Sequence, residues 1–557
     1  RSPLGGRNFE SYSEDPYLSQ KMTVAIIKGI QSKKAGACVK HFALNNSEFE
    51  RFTISSEVDE RVRREIYFPS FEKAVKEAGT WTVMCSYNKI DGTHASENHW
   101  LLTEVLKEEW GFDGLVMSDW YATHSTAPVA NAGLDLEMPG PARFFNEELT
   151  KAVKNGEVDE KVIDDKVRRL LDVMIKAGAL DKPITDAAKD KKFPAHGKLA
   201  REVAEEAIVL LKNDNDILPL DKNKVKSIAV IGPNAAMAVV QGGGSAQVTP
   251  YYAVAPLDAL KNLCGDKVQI TYEPGIGETP SPELLEKAAK AAAGADVVLV
   301  FVGTNEKIET EGKDRENMNL PVGQDELIAK VAKANPKTIV IMNNGSPVTM
   351  PWINDIPALV EAFFPGQEGG NAIVNVLFGL VNPSGKLPDT FPRRYEDNPA
   401  YKYYPGENGK VVYSEGLFVG YRYYDAKNVE PLFPFGFGLS YTTFEYSSLK
   451  VSPPQKGGVK VSVEVKNTGK AAGKEVVQVY VADVKASVPR PPKELKAFTK
   501  VALKPGEKKK VEFVLSEQAF AFYDVAIKDW VAEPGDFEIL VGSSSRDIRV
   551  KGKVTLV

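Results

Sequence analysis

The strongest constraint on the fold is a pattern repeated through the first 180 residues. A helical apolar spacing leads to a short apolar strand, and polar residues stand where the strand stops. "YLSQKMTVAIIKGIQSKK" (17–34) has the helical spacing and precedes the strand "GACVKHF" (36–42). "SEVDERVRREIYFPSFEKAVKEAG" (56–79) reads as helix before "TWTVMCSYN" (80–88), and "LLTEVLKEEWG" (101–111) before "GLVMSDW" (114–120). A further strand is predicted at "LDLEMPG" (134–140). Such alternation gives βα units with parallel strands. A closed barrel of eight units takes about 250 residues, so this stretch supplies roughly half of a (β/α)8-type barrel.

Functional groups in such sheets gather at the C-terminal strand ends. Here the ends are Lys40-His41, Tyr87-Asn88, Asp119-Trp120 and Asp135 to Met138. A single strand-end Asp is ordinarily a helix cap. Four polar endings in succession predict one shared pocket.

The texture changes twice more along the 557 residues. Residues 181–200 lose periodicity, are rich in Lys, Asp and Pro, and read as a linker. From 201 to 440, very apolar strands (227–232, 295–303, 337–345, 358–366) alternate with Ala-rich helices. Strands this apolar are covered on both faces, which predicts an α/β sandwich domain. From 441 to 557, apolar and polar residues alternate between turns, as in "GVKVSVEVKNTGK", and predict an antiparallel β-sandwich. The expected fold is therefore an α/β multidomain chain: a partial barrel over 1–180, a linker, an α/β sandwich domain and a terminal β-sandwich.

Composition removes several function classes. The net charge of −5 supplies no basic field, so nucleic acid and anionic membrane are not expected partners. Three Cys and five His lack metal-ligand spacing, and no metal is expected. "QGGGSA" (241–246) lacks the GxGxxG spacing of a dinucleotide loop, and no cofactor is expected. The chain opens "RSPLGGRNFE", without Met or signal peptide, and reads as a fragment or processed form. Its compartment stays open between periplasm, exterior and cytoplasm. A homo-oligomer is compatible with everything above.

"ACVKHFALNNSEFERF" (37–52) places Lys40, His41 and Arg51 around the mouth of the pocket. Three donors without a phosphate loop suit a neutral, hydroxyl-rich ligand such as a sugar. Trp120 beside Asp119 supplies an apolar wall for a sugar face. With "GGRNFESYSEDPYLS", "VMCSYNKIDG", "ETEGKDRENMNLP" (309–321) and "PFGFGLSYTTFEY" (434–446), in this order, the chain resembles glycoside hydrolase family 3, the β-glucosidase family. The resemblance spans essentially the whole chain and implies a fibronectin type III-like terminal sandwich. It also implies that the barrel is partial, lacking N-terminal units and the Asp they carry, with exposed strand edges.

The resemblance implies a retaining, exo-acting β-glucosidase acting on β-linked glucosides or short oligosaccharides. The alternatives are a β-xylosidase or arabinosidase of the same family, and a non-catalytic sugar-binding protein. By resemblance, Asp119 of "SDW" is the nucleophile. Arg7, Lys40, His41 and Arg51 hold sugar hydroxyls, Met84 and Tyr87 line the pocket, Trp120 packs the ring, and Ser245 faces the sugar from the second domain. Glu311, in the long acidic loop 303–321, matches the acid/base best, with Glu309 as the alternative. Retaining hydrolysis needs two carboxyls with separated pKa values. The cations near Asp119 are expected to hold it ionised, and a less cationic loop to leave Glu311 protonated.

Overall fold

The computed structural model describes residues 1–181, 194–277 and 281–557. The predicted linker 181–200 falls mainly on residues outside these, and the helix Pro194–Ala207 already begins within its last part.

In the first region, strands Cys38–Phe42, Thr82–Cys85 and Leu115–Ser118 form a parallel sheet in that order. The predicted strand at 134–140 is instead a single bridge, Met117 to Leu136. The expected helix at 56–79 is divided. Ser55–Glu57 is a strand, Arg63–Tyr67 is a π-type turn, and Pro69 opens a new helix to Lys76. Proline lacks the N–H that helix continuation needs, but it suits a first turn. The outer edge of Cys38–Phe42 has no strand partner among the described residues. Beside it, the helix Pro16–Gln31 exposes Met22, Ile26 and Ile30, one stripe at i, i+4 and i+8.

The second region is a six-stranded sheet, of order Val209–Asn213, Ala358–Glu361, Thr338–Asn343, Val297–Gly303, Ser227–Ile231, Gln269–Glu273. Only the Val209–Asn213 edge is antiparallel. Both faces are covered, as the apolar runs required. Val297, Leu299 and Phe301 enter one core, while Val298, Val300 and Val302 enter the other. The two outermost strands escaped the sequence reading because they are short and partly polar. The last region is a sandwich of three- and four-stranded antiparallel sheets with Val459, Val461, Val463 and Val465 all facing its core. Its Trp530 is half-buried against Tyr523 and forms no exposed platform.

The regions are tied at defined places. Strand Lys410–Val412 pairs in parallel with Ser55–Glu57 of the first region. Asp15 caps the Pro16–Gln31 helix by accepting from the Leu18 N–H at 2.9 Å. Its other oxygen accepts from Arg422 at 2.7 Å and from the Tyr421 hydroxyl at 2.9 Å. Tyr421 in turn accepts from the Leu495 N–H of the sandwich at 2.8 Å. Asp15 and Arg422 are both fully buried. Removing one partner of such a pair strands the other charge away from water. Asp15→Ala is therefore expected to destabilise by about 3–5 kcal/mol, read as a lower denaturant midpoint. An unchanged midpoint would show that water reaches Arg422.

Candidate active site

Asp119 follows directly on the Leu115–Ser118 strand. Its Oδ1 accepts from the Trp120 N–H at 2.7 Å, and the Tyr87 hydroxyl faces the same carboxylate. Oδ2 lies 3.3 Å from His41 Nε2, but the geometry makes no hydrogen bond, and this buried oxygen has no partner among the described residues. One oxygen is thus fixed while the other keeps free lone pairs. Burial pushes the Asp119 carboxyl up, against the Trp120 N–H, Tyr87, Lys40 and Arg7.

Consecutive strand residues normally face opposite ways. The pairing of Cys38–Phe42 with Thr82–Cys85 shifts register between Val39 and Phe42. That irregularity spans Lys40 and His41, and both lie close enough to Asp119 to act on it. Burial, then Arg7 and Lys40, push His41 far below its usual range, so its ring is neutral. Lys40 itself is exposed, and Met84 is buried in register with Met117. Trp120 is 43% exposed beside the carboxylate.

The second carboxyl arrives from the six-stranded sheet. The loop after Val297–Gly303 carries Glu311, whose Oε1 lies 2.9 Å from Arg51 Nη1 and 3.4 Å from Arg7 Nη1. Its Oε2 accepts from the Ser245 N–H at 2.8 Å. Ser245 therefore holds Glu311 in this structure. Both arginines are themselves oriented. Glu10 grips Arg7 through two hydrogen bonds, 2.7 and 2.8 Å, and Glu48 takes Arg51 at 2.7 Å. Arg51 also lies over the Tyr87 ring, 4.5 Å from its centroid. Glu311 and Asp119 share Arg7 and Tyr87 as electrostatic neighbours, so the two carboxyls belong to one site.

The expected electrostatic order is reversed. Burial acts to raise Glu311, but Ser245, Arg51 and Arg7 outweigh it and hold the carboxyl at about 2. Asp119 is the one pushed upward. The sequence placed Arg51 at the strand ends, and the resemblance gave Arg7 to the sugar, but neither put an arginine against Glu311 or signalled that Asp119 Oδ2 is unpaired. Glu309 lies elsewhere. It is buried inside the second region, accepting from Thr304 at 2.7 Å and Gly345 N–H at 2.6 Å, with Arg315 at 3.4 Å. All these contacts turn it away from the strand ends that carry Asp119.

The glycine loop 241–246 has a packing role. Gly243 bridges to Thr310, and a Cβ on Gly244 would overlap that of Glu311. On the opposite side, a Cβ on Gly6 would overlap the Lys313 carbonyl oxygen. The acidic loop is laid between these two backbones. Glu10, Glu48 and Asp314 are site residues that the sequence reading missed. The first two had a findable signal, an acid three positions from each arginine.

The three regions match three family descriptions: the glycosyl hydrolase family 3 N terminal domain over 1–173, its C-terminal domain over 208–421, and a fibronectin type III-like domain over 475–545. Thermostable beta-glucosidase B of Acetivibrio thermocellus is 50% identical over 100% of this chain and 73% of its own length. An exo-alpha-(1->6)-L-arabinopyranosidase of Bifidobacterium longum is 43% identical over 98% and 73%. Among solved structures, a GH3 beta-glucosidase of Bifidobacterium adolescentis superimposes with TM-score 0.94 at 43% identity, covering 100% of this chain and 81% of that one. DesR, a beta-glucosidase from Streptomyces venezuelae in complex with D-glucose, also reaches 0.94, at 36% identity over 100% and 86%. With three regions in family order, and a site built between the first two, the chain belongs to glycoside hydrolase family 3.

Proposed function

We propose that the chain is a retaining, exo-acting β-glycosidase that releases terminal glucose from β-glucosides and cello-oligosaccharides. The observation that carries this reading is the meeting of two carboxyls from separate regions, one with an unpaired oxygen beside an exposed Trp120 ring. Asp119 Oδ2 attacks the anomeric carbon while the glycosidic C–O bond breaks and Glu311 gives its proton to the leaving oxygen. The Glu311 carboxylate then takes a proton from water, whose oxygen displaces Asp119 from the anomeric carbon.

In this structure Glu311 is ionised, so it must gain a proton before it can act as the acid. Sugar hydroxyls supply the means. When they take the donors of Arg7 and Arg51, Glu311 loses the contacts that hold it down, and a bound sugar buries it further. Both changes raise a carboxyl pKa.

A second reading rests on the arabinopyranosidase relatives at 43–44% identity. Xylopyranose lacks only the hydroxymethyl group of glucose, a difference a pocket resolves by about 1–3 kcal/mol, whereas L-arabinopyranose also inverts the C4 hydroxyl. Comparison of kcat/KM on p-nitrophenyl β-glucoside, β-xyloside and α-L-arabinopyranoside ranks them. The glucoside is expected to lead; a leading pentoside would overturn the glucose assignment.

A 2-fluoro glucoside carrying a good leaving group is expected to trap a glycosyl ester on Asp119. Asp119→Asn should abolish both that label and turnover while the fold persists. Peptide mapping of the label to Glu311 would reverse the two roles.

Glu311 also fixes an acid limit. Its folded pKa of about 2 lies below the ordinary 4.5, so its pairing stabilises the folded state above pH 4.5 and is lost as pH falls toward 2. Glu311→Gln should flatten this part of the stability–pH curve; an unchanged slope would mean that the arginine pairing is absent in solution.

A further inference from the structure

We propose that Asp314 is the positioning residue that holds Glu311 over the barrel strand ends. The inference rests on the reading of Glu311 as the acid/base. Asp314 stands three positions after Glu311, and its carboxylate points out of the second region into the first. There it accepts the backbone N–H groups of Gly6, Glu48 and Phe49, each at 3.0 Å. These donors come from the two segments that carry Arg7 and Arg51. One carboxylate therefore ties the loop of Glu311 to both segments, while the guanidinium groups themselves are aimed by Glu10 and Glu48.

The neighbouring backbone repeats the tie. Gly312 donates its N–H to Glu48 at 2.7 Å, and Arg315 donates its N–H to the Leu4 carbonyl at 2.8 Å. At the inner end of the loop, Glu309 is anchored by Thr304, Gly345 and Arg315. Residues 310–313 thus span between an inner anchor at Glu309 and an outer anchor at Asp314, with Glu311 on the span. The bare backbone of Gly6 lets the two regions approach closely enough for these bonds to form.

Charge matters as well as shape. A carboxylate offers acceptor oxygens on both arms to a ring of N–H donors, and such charge-assisted bonds are about twice as strong as neutral ones. Asparagine keeps the size but turns an NH2 toward the same donors. Asp314→Asn should loosen the outer anchor and displace Glu311, leaving Asp119 and the sugar contacts of the first region in place. A structural role alone would lower activity toward every substrate alike. A positioning role lowers it most where the leaving group needs a proton.

The test measures kcat/KM for wild type, Glu311→Ala, Asp314→Asn and Gly6→Ala on 2,4-dinitrophenyl, p-nitrophenyl and methyl β-glucosides. For Asp314→Asn we expect a loss of about ten- to a hundredfold on the methyl glucoside and under about threefold on the dinitrophenyl glucoside. Gly6→Ala, which wedges the same seam from the barrel side, should tilt the series the same way if Asp314→Asn fails to fold. Equal losses on all three substrates, or none, overturn the proposal. If Glu311→Ala itself shows no dependence on the leaving group, the acid/base reading falls first and Asp314 with it. If Glu311→Ala shows the dependence and the seam variants do not, only the positioning role falls.

Discussion

The buried pair of Asp15 and Arg422 is the interaction on which the arrangement rests. A charge pair taken wholly out of water is a poor source of net stability, because desolvation offsets attraction. What it supplies here is geometry. Asp15 satisfies an orphan N–H at a helix start, a guanidinium from the far end of the second region, and a tyrosine hydroxyl that receives the sandwich backbone. Few other groups could meet all three at once. Elsewhere, the loop that carries Glu311 lies between the backbones of Gly6 and Gly244, where a Cβ would overlap it.

The site distributes its charges unevenly. Three acids, Glu10, Glu48 and Glu311, crowd around two arginines. Glu10 and Glu48 hold the guanidinium groups by bonds that do not involve Glu311. Asp119 makes none of these ion pairs; burial raises it, against the Trp120 N–H, Tyr87, Lys40 and Arg7. The two carboxyls thus sit in different settings: Glu311 is held by Ser245 and Arg51, while Asp119 rests on the Trp120 N–H and Tyr87.

Much of this was legible in the sequence. Parallel strands ending on Lys40-His41, Tyr87 and Asp119 follow from local periodicity, and the structure has them. Local patterns do not carry pairing between distant segments. Hence the strand Lys410–Val412 beside Ser55–Glu57, the contact of Arg51 with Glu311, and the anchoring by Asp314 went unread. The electrostatic order failed for the same reason. It depends on which acid receives the arginines, a fact set 260 residues apart in the chain. The glycines at 242–244 approach the acid loop closely, Gly243 against Thr310 and Gly244 against Glu311, a packing role set by a partner distant in sequence.

Building one site from residues 119 and 311 also sets a clock. Ribosomes add about 5–20 residues per second. The 192 residues added after position 119 up to 311 therefore take roughly 10–40 s to synthesise at that rate, during which the strand-end carboxylate exists without its counterpart. The junction at Arg422 and Leu495 closes later still. A nascent chain can thus complete its first sheet long before the second region and the sandwich have been made.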